Sequence, residues 1–254
     1  MDIIGNVAIF SNKEMDKNKA VEFVLNHYKN IRSIYFSSSK TSGRFRLKTH
    51  KLIWGEDNPV VIHKENKLLF KLDINKVFFS PRLSFERMRI ASEIKKPENV
   101  LVLFAGVGPF PITISKYSVA KKIIGIELNK AAYEFFVENI KLNKCKNIQP
   151  IFGDVKKVLA SKKFSNWAHR ILMPHPYGDN NYLKIALSSL KQNGIIHYYD
   201  FAKIKNWKEN ILQNIQKQLP KNYSMRVLNS KIVRDIGPSL VNAVFDLKIK
   251  RIKK

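Results

Sequence analysis

The chain has 254 residues, enough for one large domain or for a small and a medium one, each with its own core. Its single cysteine, Cys145, excludes an internal disulfide framework and a cysteine-based zinc site, and no run approaches the roughly 20 apolar residues of a membrane helix. Forty-six Lys+Arg against 20 Asp+Glu leave a net charge of +26, a field that concentrates polyanions, although a lysine-rich compositional habit would produce the same excess.

The N-terminal run DIIGNVAIF carries Asp2 in place of a basic leader, so no signal peptide is expected and the compartment is taken as the cytoplasm. DIIGNVAIF and SIYFSS have strand-like content, and Lys19–Tyr28 has helical spacing at Val21, Val24 and Tyr28. RFRLKTHKLIW alternates through Phe45, Leu47 and Thr49, which places Arg44, Arg46 and Lys48 on the polar side of a strand. That side suits phosphates or plain solvation equally. VVIHKENKLLFKLDI reads as two strands turning at Glu65–Asn66. Residues 1–75 are thus expected to form a small α+β domain, and 76–254 a second domain.

The joint carries Pro81, which stops any helix from upstream, and Ser84, where a helix FERMRIASEI is expected to start. Glu86 and Arg87 on that helix are surface charge by default. From there strands and helices alternate. Strands are expected at Val100–Leu103, Ile123–Ile126, Ile148–Phe152, Arg170–Met173 and Gly194–Tyr199. Helices are expected after Pro109, over Ala131–Leu142, Tyr182–Lys191 and Trp207–Leu219, with two closing strands in SMRVLNSKIV and NAVFDLKIK. An α/β run ending in a strand pair outlines a Rossmann-like class I methyltransferase fold, a mostly parallel seven-stranded sheet whose last strand is antiparallel.

VLVLFAGVGPF, Val100–Phe110, followed by IIGIELN, Ile123–Asn129, is the most informative stretch. In open α/β sheets ligands bind outside the carboxyl ends of the strands, and an acid after the second strand is placed to take ribose hydroxyls. Gly106 and Gly108 allow close backbone approach, and Pro109 suits a first helical position. The turn is not GxGxxG and no Walker lysine follows, so S-adenosylmethionine fits better than a nucleoside phosphate. Asp154 in FGDV could receive the adenine amino group with Val155 supplying an amide, or could simply cap the helix VKKVL. After the fourth strand, Pro174-His175-Pro176-Tyr177 offers a stiff backbone and a ring for an unstacked base, though a generic turn would look the same.

Together FFSPRLSFERMRIA (Phe78–Ala91), VLVLFAGVGPF, IIGIELN, FGDV and PHPY resemble the tRNA guanosine-37 N1-methyltransferase family of archaea and eukaryotes. The resemblance implies Glu86 as general base, Arg87 and Phe78 at the cofactor, Arg46 reaching the target base, and Glu127 at the ribose. It completes the expected cofactor set with Phe104, Ala105, Gly106, Gly108, Leu128, Asp154 and Val155. Arg82 and Tyr177 fall to the substrate, and Pro174 and Pro176 to the reaction turn. The family's Asn-Leu-Pro is here Pro174-His175-Pro176, and its acid in the first cofactor strand is Val102. These departures, with Phe110-Pro111-Ile112, resemble the archaeal branch that also methylates C7 of 4-demethylwyosine. The implied substrate is the anticodon stem-loop of tRNA(Phe), handled by a monomer without metal or membrane. Alternatives are one of the two methylations alone, or aminocarboxypropyl transfer to the same C7.

Overall fold

A computed structural model describes residues 1–11, 16–37, 45, 47–174 and 182–252. Two compact units emerge. One comprises residues 1–84, 106–109 and 129–144; the other comprises 85–105, 110–128 and 145–254.

In the first unit, β1 (Asp2–Ile4), β2 (Val7–Phe10), α1 (Lys17–His27), β3 (Ser33–Ser37) and β4 (His50–Gly55) build a four-stranded sheet with one helix. The β2–β3 pair is parallel, so it needs the α1 crossover, while β1–β2 and β3–β4 are antiparallel. Asp16 caps α1 by accepting the Lys19 amide at 3.0 Å. Val24, Ala20, Ile34, Phe10 and Phe36 close a small core between helix and sheet. Of the alternating segment expected from Phe45, His50–Gly55 is strand and Leu47 makes an isolated bridge, while Arg44 and Arg46 lie outside the described residues.

β5 (Val60–Glu65) and β6 (Leu68–Asp73) form the expected hairpin. Its tip, Asn66–Lys67, has φ of 47° and 60°, the mirror-image turn that matches strand twist. The unit's other helix, α4 (Lys130–Leu142), runs beside β6. Asn139 takes the Lys71 amide on Oδ1 at 2.7 Å and donates Nδ2 to the carbonyls of Lys71 and Val107, both at 3.0 Å. Asn143 does the same for Leu69. An open strand edge is thereby closed by amides.

The first stretch of the first unit ends in a single turn of tight helix at Pro81–Leu83 and in Ser84, the first residue of α2 (Ser84–Glu93); the second unit takes the rest of α2 and then the sheet. Its strands are β7 (Asn99–Leu103), β8 (Lys122–Glu127), β9 (Ile148–Phe152), β10 (Ala168–Met173), β11 (Leu190–Lys203), β12 (Tyr223–Gly237) and β13 (Leu240–Arg251). They lie in the order β12-β13-β11-β10-β7-β8-β9. The pairs from β9 to β11 are parallel, and β13 enters antiparallel between β11 and β12. This is the expected mostly parallel seven-stranded sheet. The remaining helices are α3 (Pro109–Tyr117), α5 (Val155–Ala160), α6 (Tyr182–Ala186) and α7 (Trp207–Gln218).

β7 is apolar without alternation because both of its faces are covered; Leu101, Val102 and Leu103 are all fully buried. Leu101, Ile124, Ile171, Ile196 and Phe245 carry the core across the sheet. Each such side chain contributes about 1.5–3 kcal/mol relative to exposure. The expected helix Tyr182–Lys191 is shorter than its apolar spacing suggests. Regular helix stops at Ala186, one tight turn covers Leu187–Ser189, and Leu190 is already extended. Leu190 pairs with Ala168, so strand pairing claims the residues that the helical pattern had covered.

Candidate active site

Three strand ends line up along the carboxyl edge of the sheet. The Ala105 amide donates to the Ile126 carbonyl at 2.9 Å, and the Gly153 amide donates to the Glu127 carbonyl at 2.9 Å. Ala105, Glu127 and Asp154 therefore follow β7, β8 and β9 as a row, and Pro174 follows β10 beside them. Glu127 is half-buried, and its carboxylate accepts the Leu128 amide at 2.8 Å. Asp154 caps α5 by accepting the Lys156 amide at 2.8 Å, so the capping role is present. Val155 is buried beneath it.

The turn after β7 has the backbone its glycines imply. Phe104, Gly106 and Gly108 have φ of 59°, 58° and 90°. A Cβ added to Gly106 would meet nothing within 4 Å, so the backbone there faces open space. Phe104 is held in its left-handed conformation with its ring edge-on to Tyr182, centroids 4.8 Å apart. Gly106, Gly108, Phe78 and Arg82 belong to the first unit, where Arg82 donates Nε to Asp2 at 2.7 Å and Phe78 is partly exposed.

Glu86 and Arg87 are not surface charge. They are 2% and 1% exposed, on the side of α2 that faces inward. The reason lies in two periodicities. Along the strands, side chains alternate, so Tyr199 and His197 of β11 share a face. Register places Tyr199 beside Val244 and Val244 beside Lys231; two residues along, His197 pairs with Asp246 and Asp246 with Asn229. Along α2, Glu86, Arg89 and Glu93 fall on one stripe at i, i+3 and i+7. A polar stripe meets a polar patch.

The bonds follow from that meeting. Glu86 Oε1 accepts from Arg89 Nη2 at 2.6 Å and from the Tyr199 hydroxyl at 2.8 Å. Its Oε2 accepts from Arg89 Nε at 2.8 Å and faces the Lys231 ammonium at 3.0 Å. Arg89 also donates to Asp246, at 2.7 Å, and to Glu93. Arg170 donates Nη1 to His197 Nε2 at 2.6 Å. A guanidinium cannot accept, so the ring proton sits on Nδ1, where it is donated to Asp246 at 2.5 Å. The donor atoms of Glu93, His197 and Asp246 lie close enough to hold a metal ion. The Arg89 and Arg170 guanidiniums supply positive charge to that cluster.

Burial pulls the Glu86 carboxyl upward, but the bonds from Arg89, Lys231 and Tyr199 outweigh it and hold the group below the usual carboxylate range. Asp246 is likewise depressed, burial being overcome by His197 and Arg89. Burial and the Glu86 charge push Tyr199 well above the ordinary phenol value, so it remains a donor. The Tyr199 ring also lies 5.9 Å from that of Phe110, on the first turn of α3. Glu86 is thereby held beside the helix that follows the glycine turn.

Those features together suit transfer chemistry at a strand-end nucleoside site. The TRM5/TYW2 methyltransferase domain description matches residues 61–228. The chain belongs to this family. It is 35% identical to tRNA (guanine(37)-N(1))-methyltransferase Trm5b of Pyrococcus abyssi over 252 residues, covering 98% of this chain and 74% of that one. It is 29% identical to tRNA 4-demethylwyosine(37)-methyltransferase Taw21 of Saccharolobus solfataricus, covering 98% and 93%. It is 32% identical to a tRNA(Phe) (4-demethylwyosine(37)-C(7)) aminocarboxypropyltransferase of Methanocaldococcus jannaschii, covering 98% and 97%. Among solved structures, that of M. jannaschii TYW2 in complex with AdoMet superposes with a TM-score of 0.77 at 28% identity, covering 98% of each chain. No helix among the described residues is long and apolar enough to cross a membrane.

Of the expected site residues, Arg46, Pro176 and Tyr177 lie outside the described residues. Sequence reasoning missed Arg89, Tyr199, Lys231, His197 and Asp246. For His197, Tyr199 and Asp246 the available signal was alternation in HYYD and FDLK, which marks a face without showing what covers it, and for Arg89 it was its place one helical turn after Glu86.

Proposed function

We propose that this chain is an S-adenosylmethionine-dependent methyltransferase of tRNA(Phe) position 37, acting on N1 of guanosine and on C7 of 4-demethylwyosine. The observation that carries the reading is Glu86: a carboxylate 2% exposed yet held ionised by three donors, beside the helix after the glycine turn. Relatives named for each methylation match along 98% of the chain.

The residues at the strand ends fit the cofactor. Glu127 takes the ribose hydroxyls, the open backbone at Gly106 admits close approach, and Asp154 with the Val155 amide receives the adenine edge. When bound, S-adenosylmethionine would supply an electrophilic methyl on a sulfonium, the carbon–sulfur electron pair staying with sulfur.

For guanine N1, Glu86 takes the ring proton as the new N–C bond forms, and Arg46 stabilises the negative charge growing on O6. Tyr199 and Arg89 hold the carboxylate in place while this happens. For C7 the electron-rich ring carbon forms the bond, and Glu86 collects the proton afterwards. Pro174 and Pro176, in place of the family's Asn-Leu-Pro, remove an amide that would contact a guanine edge and admit a tricyclic base. The +26 charge draws in the RNA, and Arg82 and Tyr177 contact it.

Incubation with labelled cofactor and tRNA(Phe) carrying either base at position 37, followed by nucleoside analysis, tests this. Methylated products at both bases are expected; no transfer to either defeats the reading. Aminocarboxypropyl transfer is the second reading, favoured by a relative of that name whose length this chain covers to 97%. The mass of the product separates the two.

A further inference from the structure

Phe85 is 78% exposed, more than any other large apolar side chain among the described residues. Its helix does not need it for packing, since Ile90 and Ala91 fill the buried apolar side of α2. A single exposed apolar residue is ordinary. The neighbourhood of Phe85 is not. The Lys231 ammonium lies 5.4 Å from the centroid of its ring and 3.0 Å from the Glu86 carboxylate. One cation therefore spans an open aromatic face and the proposed base. Lys231 stands on β12, between Arg226 and Arg234 along the strand.

A flat hydrocarbon face beside cations is how proteins take an unpaired nucleobase, because every base has a π-face and brings a phosphate with it. We propose that Phe85 is the stacking platform for the position-37 base as that base approaches Glu86. This rests on the tRNA reading above and adds a specificity-determining residue to it. A tricyclic base covers more of the ring than guanine does, so the contribution is greater for 4-demethylwyosine.

The test uses the full chain with S-adenosylhomocysteine and tRNA(Phe) carrying guanosine, 4-demethylwyosine or an abasic site at position 37. Phe85→Ala should weaken binding of the 4-demethylwyosine RNA by about 5- to 150-fold, that of the guanosine RNA less, and that of the abasic RNA not at all. Phe85→Trp should restore the loss, while Phe85→Leu, equally apolar but without a ring, should not. Unchanged binding in Phe85→Ala overturns the proposal, as does equal loss on all three RNAs. If the wild-type chain binds none of them better than unrelated RNA, the tRNA reading itself falls, which is a different failure.

Discussion

The two units each bury a polar cluster, and they do so with opposite chemistry. In the first, Asn139 and Asn143 close the edge of β6 with neutral amides whose donors and acceptors meet backbone groups. In the second, Glu86, Arg89, Asp246, His197 and Arg170 meet one another as charges. An amide clamp has no titrating group and holds geometry at any pH. A charge network costs desolvation and repays it only when every partner is present, yet it can hold a carboxylate ionised out of water. The first serves structure; the second suits the proton step proposed for Glu86.

The largest expected effect separates the two at the level of activity. Glu86→Ala should lower N1 transfer to guanosine by about 10²–10⁴-fold, the usual contribution of a positioned base, with a smaller loss in C7 transfer. Equal losses on the two substrates would remove Glu86 from the proton step.

Next in size is the amide clamp. Asn139→Leu leaves the part-buried amide and carbonyl of Lys71 and the buried carbonyl of Val107 without partners, at about 1–3 kcal/mol for the buried orphan and less for the two that water can reach. Urea unfolding should show a loss of about 2–4 kcal/mol. A loss within about 0.5 kcal/mol would mean the β6 edge is held some other way.

Acid should distinguish the clusters more gently. Glu86 and Asp246 are both depressed in the folded chain, so the unfolded chain takes up their protons first as pH falls. Their stabilisation is complete above the ordinary carboxylate range, roughly pH 5, and is lost as pH falls through the folded values. A Glu86→Gln, Asp246→Asn double variant should show a flatter stability profile below about pH 5 than the wild type, with Asn139→Leu parallel to it. Matching slopes in the double variant and the wild type would refute the network's part in acid sensitivity.

The smallest effect falls on Lys71, whose backbone the clamp grips while its ammonium pairs at 2.9 Å with Glu138 in solvent. Lys71→Ala should cost under about 1 kcal/mol by the same urea titration. A larger loss would place surface charge, not the amides, in control of that edge.

Much of this was legible in the chain. VLVLFAGVGPF and IIGIELN are continuous apolar runs because both faces of β7 and β8 are covered, and such runs are short, bounded by turn residues and hard to misplace. Gly106, Gly108 and Glu127 then follow from backbone sterics and from where parallel strands end. For Asp154 local pattern offered two roles, and the cap to Lys156 is the one the structure displays. The overlong helix at Tyr182–Lys191 marks the limit of periodicity: Leu187 and Leu190 suit a helix face, but pairing with β10 extends the chain there.

By itself, then, the sequence determined the order of strands and helices, the nucleoside-type turn and the sign of the charge, because these depend on residues close along the chain. Tertiary structure decided the state of Glu86. Tyr199 is 113 residues away from it, and Asp246 is 157 from Arg89. Alternation put each of them on a face, but only the register of β11, β13 and β12 set those faces in one row, and only the packing of α2 brought a carboxylate to meet them.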